Sequence, residues 1–112
     1  MKAADFRRIA LSLSEASEGS HMGHPDFRVG GKIFATLGYP NKETGVIMLL
    51  PEEQERFIRA HPDAFGSVKG AWGRRGYTTV VLEAVDAVTL GAAMVAAWRR
   101  RAPARLLKQQ MN

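Results

Sequence analysis

Between Ser20 and Leu37 the chain reads S-H-M-G-H-P-D-F-R-V-G-G-K-I-F-A-T-L, a stretch that gathers histidines, a carboxylate and cations around one Gly-Gly pair. His21 and His24 stand three apart with Asp26 beyond them, so a metal site is the first chemistry to consider. Gly23 and Pro25 exclude a helix here, and on an extended chain an odd separation sends two rings to opposite faces. His61, the remaining histidine, follows a later helical segment, and a zinc-type site needs three or four ligands. The spacing therefore predicts no metal and no cofactor. His24 with Asp26 has the composition of a base and its orienting carboxylate, but Ser20, Thr36 and Thr78 lack any nucleophile-elbow context. Gly30-Gly31-Lys32 is too short to cradle a phosphate and leads into no helix. No enzyme is expected. The plain reading is that His24 caps or bridges a turn before Pro25, and that Asp26 accepts backbone N–H bonds there.

Binding chemistry is the stronger prospect. In the strand-like run Lys32 to Leu37, alternation places Lys32, Phe34 and Thr36 on one face and Ile33, Ala35 and Leu37 on the other. The first set, with Arg28 across the hairpin, pairs cations with an aromatic ring on a face open to a ligand. Lys69, Trp72, Arg74 and Arg75 form a second basic and aromatic group in a glycine-rich segment, and Arg99 to Arg105 a third basic cluster. Phosphate contacts from cations and stacking on aromatic rings are the parts of a nucleic-acid interface. The competing reading makes Phe27, Phe34 and Trp72 core, Arg28 and Lys32 a solvated edge, and Arg99 to Arg101 complements of a helix dipole.

These residues must be positioned by regular elements. Asp5 suits the cap of a first helix running to about Leu13, with Phe6, Ile9, Ala10 and Leu13 on one stripe. Phe27-Arg28-Val29 and Lys32 to Leu37 flank the Gly30-Gly31 turn, which predicts a hairpin. Val46 to Leu50 is continuously apolar, as a central strand buried on both faces would be. Pro51 opens a helix carrying Glu52, Glu53 and Glu55 near its positive end, and Pro62 stops it near His61. Tyr77 to Leu82 alternates as a strand. Asp86 or Thr89 caps a last helix whose Leu90, Ala93, Met94, Ala97 and Trp98 face the core. The links between strands are too short for parallel crossovers, so the sheet is expected to be antiparallel, with helices mainly on one face.

At 112 residues, 46% apolar and 24% charged, the composition suits one globular domain. The chain has no cysteine, which excludes disulfides and thiolate chemistry and fits a reducing cytoplasm. No apolar run approaches a membrane span or a signal peptide. A net charge of +5 favours polyanionic partners.

The run from His21 to Leu37 resembles the signature of the MmcQ/YjbR family. The Pro51-Glu52-Glu53-Gln54 helix start, Pro62 to Phe65, Gly70 to Gly73 and Ala97-Trp98 add to the likeness, which spans nearly the whole chain. The resemblance implies an α-β(3)-α-β(2)-α layout over residues 1–112, and the polar, basic composition of residues 104–112 makes them an expected frayed tail. Relatives often carry Gly-Trp-Val where this chain has Gly73-Arg74-Arg75-Gly76-Tyr77, so a role tied to that tryptophan would pass to Tyr77 or Trp72. The family is usually labelled DNA-binding. The expected function is thus DNA binding of low sequence specificity through phosphate contacts, by Arg28, Lys32, Phe34, Lys69, Trp72, Arg74, Arg75 and Arg99. The alternative is a non-catalytic module that holds a protein partner on the open sheet face or edge.

Overall fold

The apolar run expected of a central strand forms β4 (Thr44–Met48), and all five of its residues are buried. In the computed structural model, which describes residues 1–110, β4 lies between β3 (Lys32–Leu37) and β6 (Tyr77–Val81). The full sheet runs β1 (Ser17–His21), β2 (His24–Val29), β3, β4, β6 and β5 (Phe65–Ser67), and every neighbouring pair is antiparallel. Five helices accompany it: α1 (Ala3–Leu11), α2 (Pro51–Ala60), α3 (Ala71–Arg74), α4 (Ala87–Arg101) and α5 (Ala104–Gln110). The architecture is α+β, as the pattern of the sequence predicts.

Helix α4 crosses β3 and β4, with α1 beside it. Its stripe of Leu90, Ala93, Met94, Ala97 and Trp98 is buried against a core that includes Phe6, Phe27, Ala35, Ile47 and Val80. Burial of a side chain such as Leu90 or Met94 contributes about 2 kcal/mol. The Trp98 indole also donates to the Ser14 carbonyl at 3.0 Å, so its polar edge is satisfied. Asp86 caps α4 as expected, its carboxylate accepting from the Thr89 N–H at 2.7 Å.

Four expectations need correction. Asp5 lies inside the first turn of α1 rather than before it, and accepts from the Lys2 N–H at 2.8 Å. Strand β1 was not foreseen, because Ser-Glu-Gly-Ser-His carries no apolar alternation; it is a strand only through its pairing with β2. The short helix α3 was not foreseen either, since its four residues hold no periodicity. Residues 104–110, expected to fray, form α5 and bury Leu106 in the core; residues 111–112 of that expected tail lie outside the described residues.

The most consequential departure is a β-bulge. Phe27 pairs with Ala35, but Arg28 pairs with Ile33, which leaves Phe34 as the extra residue. Strict alternation is broken there. Phe34 joins Ala35 in the core at 0% exposure, and Ile33 shares a face with Arg28. The expected surface of Lys32, Phe34 and Thr36 therefore does not exist. Beyond the bulge, Gly30 and Gly31 take φ of +58° and +78°, the geometry of a tight hairpin turn.

Candidate functional site

The face of the sheet opposite α1 and α4 carries a groove of about 590 Å³. Thr36 of β3, Val46 and Met48 of β4 and Tyr77 of β6 form its floor. One wall is the β1–β2 turn, with His21, Met22 and His24, together with Tyr39 from the β3–β4 loop. The other wall is Val68, Lys69 and Trp72, between β5 and α3. Among the described residues no carboxylate lines the groove.

At the β1–β2 end, the two histidines are brought together rather than parted. The turn at Met22-Gly23 makes His21 and His24 direct cross-strand partners, so the opposite-face argument drawn from an extended chain does not apply. His24 meets Tyr39 edge-on at 6.5 Å. His21 instead pairs with Asp26, Nδ1 to Oδ2 at 2.8 Å, so the histidine–carboxylate couple involves His21 and not His24. Asp26 is buried, and among the described residues its carboxylate takes no backbone bond; it accepts two N–H groups of Arg28, from Nε at 2.8 Å and Nη2 at 3.0 Å. These bonds, Arg28's first and then His21's, hold the Asp26 carboxyl below the usual carboxylate range despite burial. As an acceptor in ionised form, Asp26 fixes the proton of His21 on Nδ1 and leaves Nε2 for a ligand. Among the described residues, no group of three His, Asp or Glu side chains is placed to hold a metal ion.

At the other end, backbone contacts fix α3. The Gln54 amide donates to the Gly73 carbonyl at 3.1 Å and the Tyr77 carbonyl at 2.9 Å, which ties α2 to both. Gly73 is pressed so closely on β5 that a Cβ there would sit 1.8 Å from the Val68 carbonyl oxygen. Trp72 stacks on Tyr77 at 5.0 Å, and the Arg75 guanidinium lies 5.1 Å from the Trp72 ring centroid. The end of α4 arrives at the same place. Arg100 donates to the carbonyls of Leu49 and Arg75, and Arg101 to the Tyr77 hydroxyl at 3.2 Å. Burial, then repulsion from Arg101, pushes the Arg100 guanidinium below its ordinary value. Arg101 Nε is buried without a hydrogen-bond partner among the described residues.

The eight residues expected to bind DNA therefore divide. Phe34 is core and cannot stack on a base. Arg28 is committed to Asp26, and within the Arg99 to Arg105 cluster Arg105 is committed to Glu15 through two bonds of 2.8 Å. Lys69 and Trp72 line the groove, with Trp72 half exposed. Arg74, Arg75 and Arg99 are exposed and form no ion pair among the described residues. Lys32 is exposed too, two residues after Gly30, which rests against Pro103 just beyond α4. Sequence reasoning missed Arg100, Arg101 and Tyr77 as one unit. Their only signal was a run of arginines ending a helix and an aromatic opening a strand.

A two-layer α+β domain with one helix-covered and one grooved sheet face is the class that this geometry defines. The chain belongs to the YjbR family, whose model matches residues 11–100. Among solved structures it is similar to the crystal structure of Deinococcus radiodurans protein DR2400, described by the family-model domain DUF419. The identity is 18%, with a TM-score of 0.75 over 96% of this chain and 86% of that one. At that identity the likeness is one of fold. No curated protein matches. Among the described residues no helix is long and apolar enough to cross a membrane.

Proposed function

We propose that the protein binds DNA with low sequence specificity, through phosphate contacts made where α3 meets the end of α4. The observation that carries this reading is the concentration of arginines there without carboxylate partners. Arg74, Arg75, Arg99, Arg100 and Arg101 form no ion pair among the described residues, whereas Arg7, Arg8, Arg28, Arg59 and Arg105 all do. Arg100 and Arg101 repel each other while partly desolvated, and Glu52 and Glu53 on α2 offset this only from a distance. A phosphate beside the exposed guanidinium groups of Arg74, Arg75 and Arg99 would offset that repulsion and take charge-assisted N–H bonds from them. Contacts to phosphates rather than base edges suit a cluster made of arginines alone, since cations pair with backbone oxygens without reading sequence.

Fluorescence anisotropy with a labelled duplex tests the reading. The logarithm of affinity should fall with that of salt, with a slope of about −0.9 for each phosphate neutralised. Replacing both Arg74 and Arg75 with Ala should make that slope shallower by about 2 and leave the melting temperature unchanged. Absence of binding at low salt overturns the reading, as does a double variant that binds as tightly as the parent. The protein-partner alternative draws less support: β1 is polar, and β5 is three residues long, so neither edge offers a long strand to pair with.

A further inference from the structure

The groove on the exposed sheet face is a separate feature from the arginine end, and DNA binding by phosphate contacts does not use it. Its volume of about 590 Å³ falls within the roughly 300–1,000 Å³ of small-molecule sites. Three neighbouring strands, β3, β4 and β6, supply its floor, so at about 4.8 Å per strand the floor is about 10 Å across. That width suits one or two fused aromatic rings.

The lining sorts into two chemistries. Val46, Met48 and Val68 are aliphatic or thioether surface, and Trp72, Tyr77 and Tyr39 present aromatic rings. With Tyr77 on the floor and Tyr39 and Trp72 at the two walls, such surfaces favour a flat, polarisable body. The groups on the lining that can carry positive charge are Lys69, His21 and His24, and among the described residues no Asp or Glu lines the space. Asp26, the nearest carboxylate in the sequence, is buried and taken by Arg28 and His21. The His21 ring is thereby held in one orientation with Nε2 unbonded among the described residues.

Met22 is the third observation. It stands at φ +49°, in the left-handed region that side chains other than Gly, Asn and Asp rarely adopt, and it is 93% exposed. An Asn there would complete the Asn-Gly pair that this two-residue turn favours. A long apolar side chain is instead held at the groove rim, at a cost to the turn and with no core contact to offset it.

The geometry points to a small planar aromatic anion, a one- or two-ring carboxylate or its phosphate equivalent, as the occupant of this groove. Its rings lie over Met48 and Val46 between the Tyr39 and Trp72 walls, and its acid group meets the Lys69 ammonium. Met22 closes over the rim.

The test uses three probes of one shape, namely 2-naphthoate, 2-naphthamide and 2-naphthylmethylammonium, titrated into the isotope-labelled protein and followed by amide chemical shifts. The carboxylate should perturb Thr36, Val46, Met48 and Lys69 and bind about tenfold more tightly than the amide, with the ammonium weaker still. Lys69→Ala should weaken the naphthoate about tenfold without moving the melting temperature, because Lys69 is exposed. Met22→Asn should weaken it severalfold while the melting temperature holds or rises. The Arg74→Ala, Arg99→Ala double variant, at exposed residues off the lining, should leave naphthoate affinity unchanged, which keeps this site and the DNA reading independently refutable. No perturbation of groove residues at millimolar naphthoate overturns the proposal. So does an ammonium probe that binds as well as the carboxylate, or a Met22→Asn variant with full affinity.

Discussion

Two regions of the molecule, around the β1–β2 turn and where α3 meets the end of α4, use arginine in opposite ways. At the β1–β2 end, Arg28 is locked on the buried Asp26, and on α1 and α5 Arg7 and Arg105 are paired with Glu18 and Glu15. At the α3–α4 end, Arg74, Arg75, Arg99, Arg100 and Arg101 have no carboxylate partner among the described residues. The residue type is the same, and the difference lies in what the backbone brings beside it. In the first region the positive charge is spent on holding the strands and aiming a histidine. In the second it is left over, and leftover charge that is partly desolvated is what a polyanion can use.

The largest break in this comparison is expected from Gly73→Val. Its Cβ would collide with the Val68 carbonyl, so α3 must leave the sheet, carrying Arg74 and Arg75 with it. The expected loss is at least about 3 kcal/mol, read by urea denaturation, or failure to fold. Asp26→Asn tests the opposite end. It leaves Arg28 and His21 facing a neutral amide, yet both are partly exposed and can rehydrate, so the cost at neutral pH is expected near about 2 kcal/mol. Because the Asp26 carboxyl is held low in the folded state, the stability it contributes is fully present above the unfolded value of about 4. It is lost as pH falls below that toward the lower folded value. Parent and variant should therefore differ at pH 7 and converge in acid; a gap that persists at low pH would mean Asp26 acts by shape and not by charge. The smallest effect should come from Glu15→Gln. Its bonds to Arg105 join two exposed groups, and the melting temperature should move by no more than about 1 °C. That change also releases Arg105, so a gain in DNA affinity would show that unpaired arginines matter at either end.

Much of this arrangement was legible in the residues. The antiparallel sheet, the central β4, the Gly30-Gly31 hairpin and the core stripe of α4 follow from periodicity and turn chemistry. What was not legible depends on pairing between distant segments. The Phe34 bulge is invisible to alternation, because the letters from Lys32 to Leu37 fit a regular strand equally well; only the register with β2 shows the extra residue. The His21–Asp26 couple was missed because its geometry needs β1, and β1 exists only as a partner of β2. The grouping of Arg101 with Tyr77 spans 24 residues, and no local pattern announces it.

The outermost strands have a consequence of another kind. One edge of the sheet reads Ser-Glu-Gly-Ser-His, and the other is three residues long. Polar or short margins give a second copy little backbone to extend into a ribbon. The protein should accordingly remain dispersed when concentrated, and its apolar groove, set inside those margins, can stay open to a ligand without becoming a seed for aggregation.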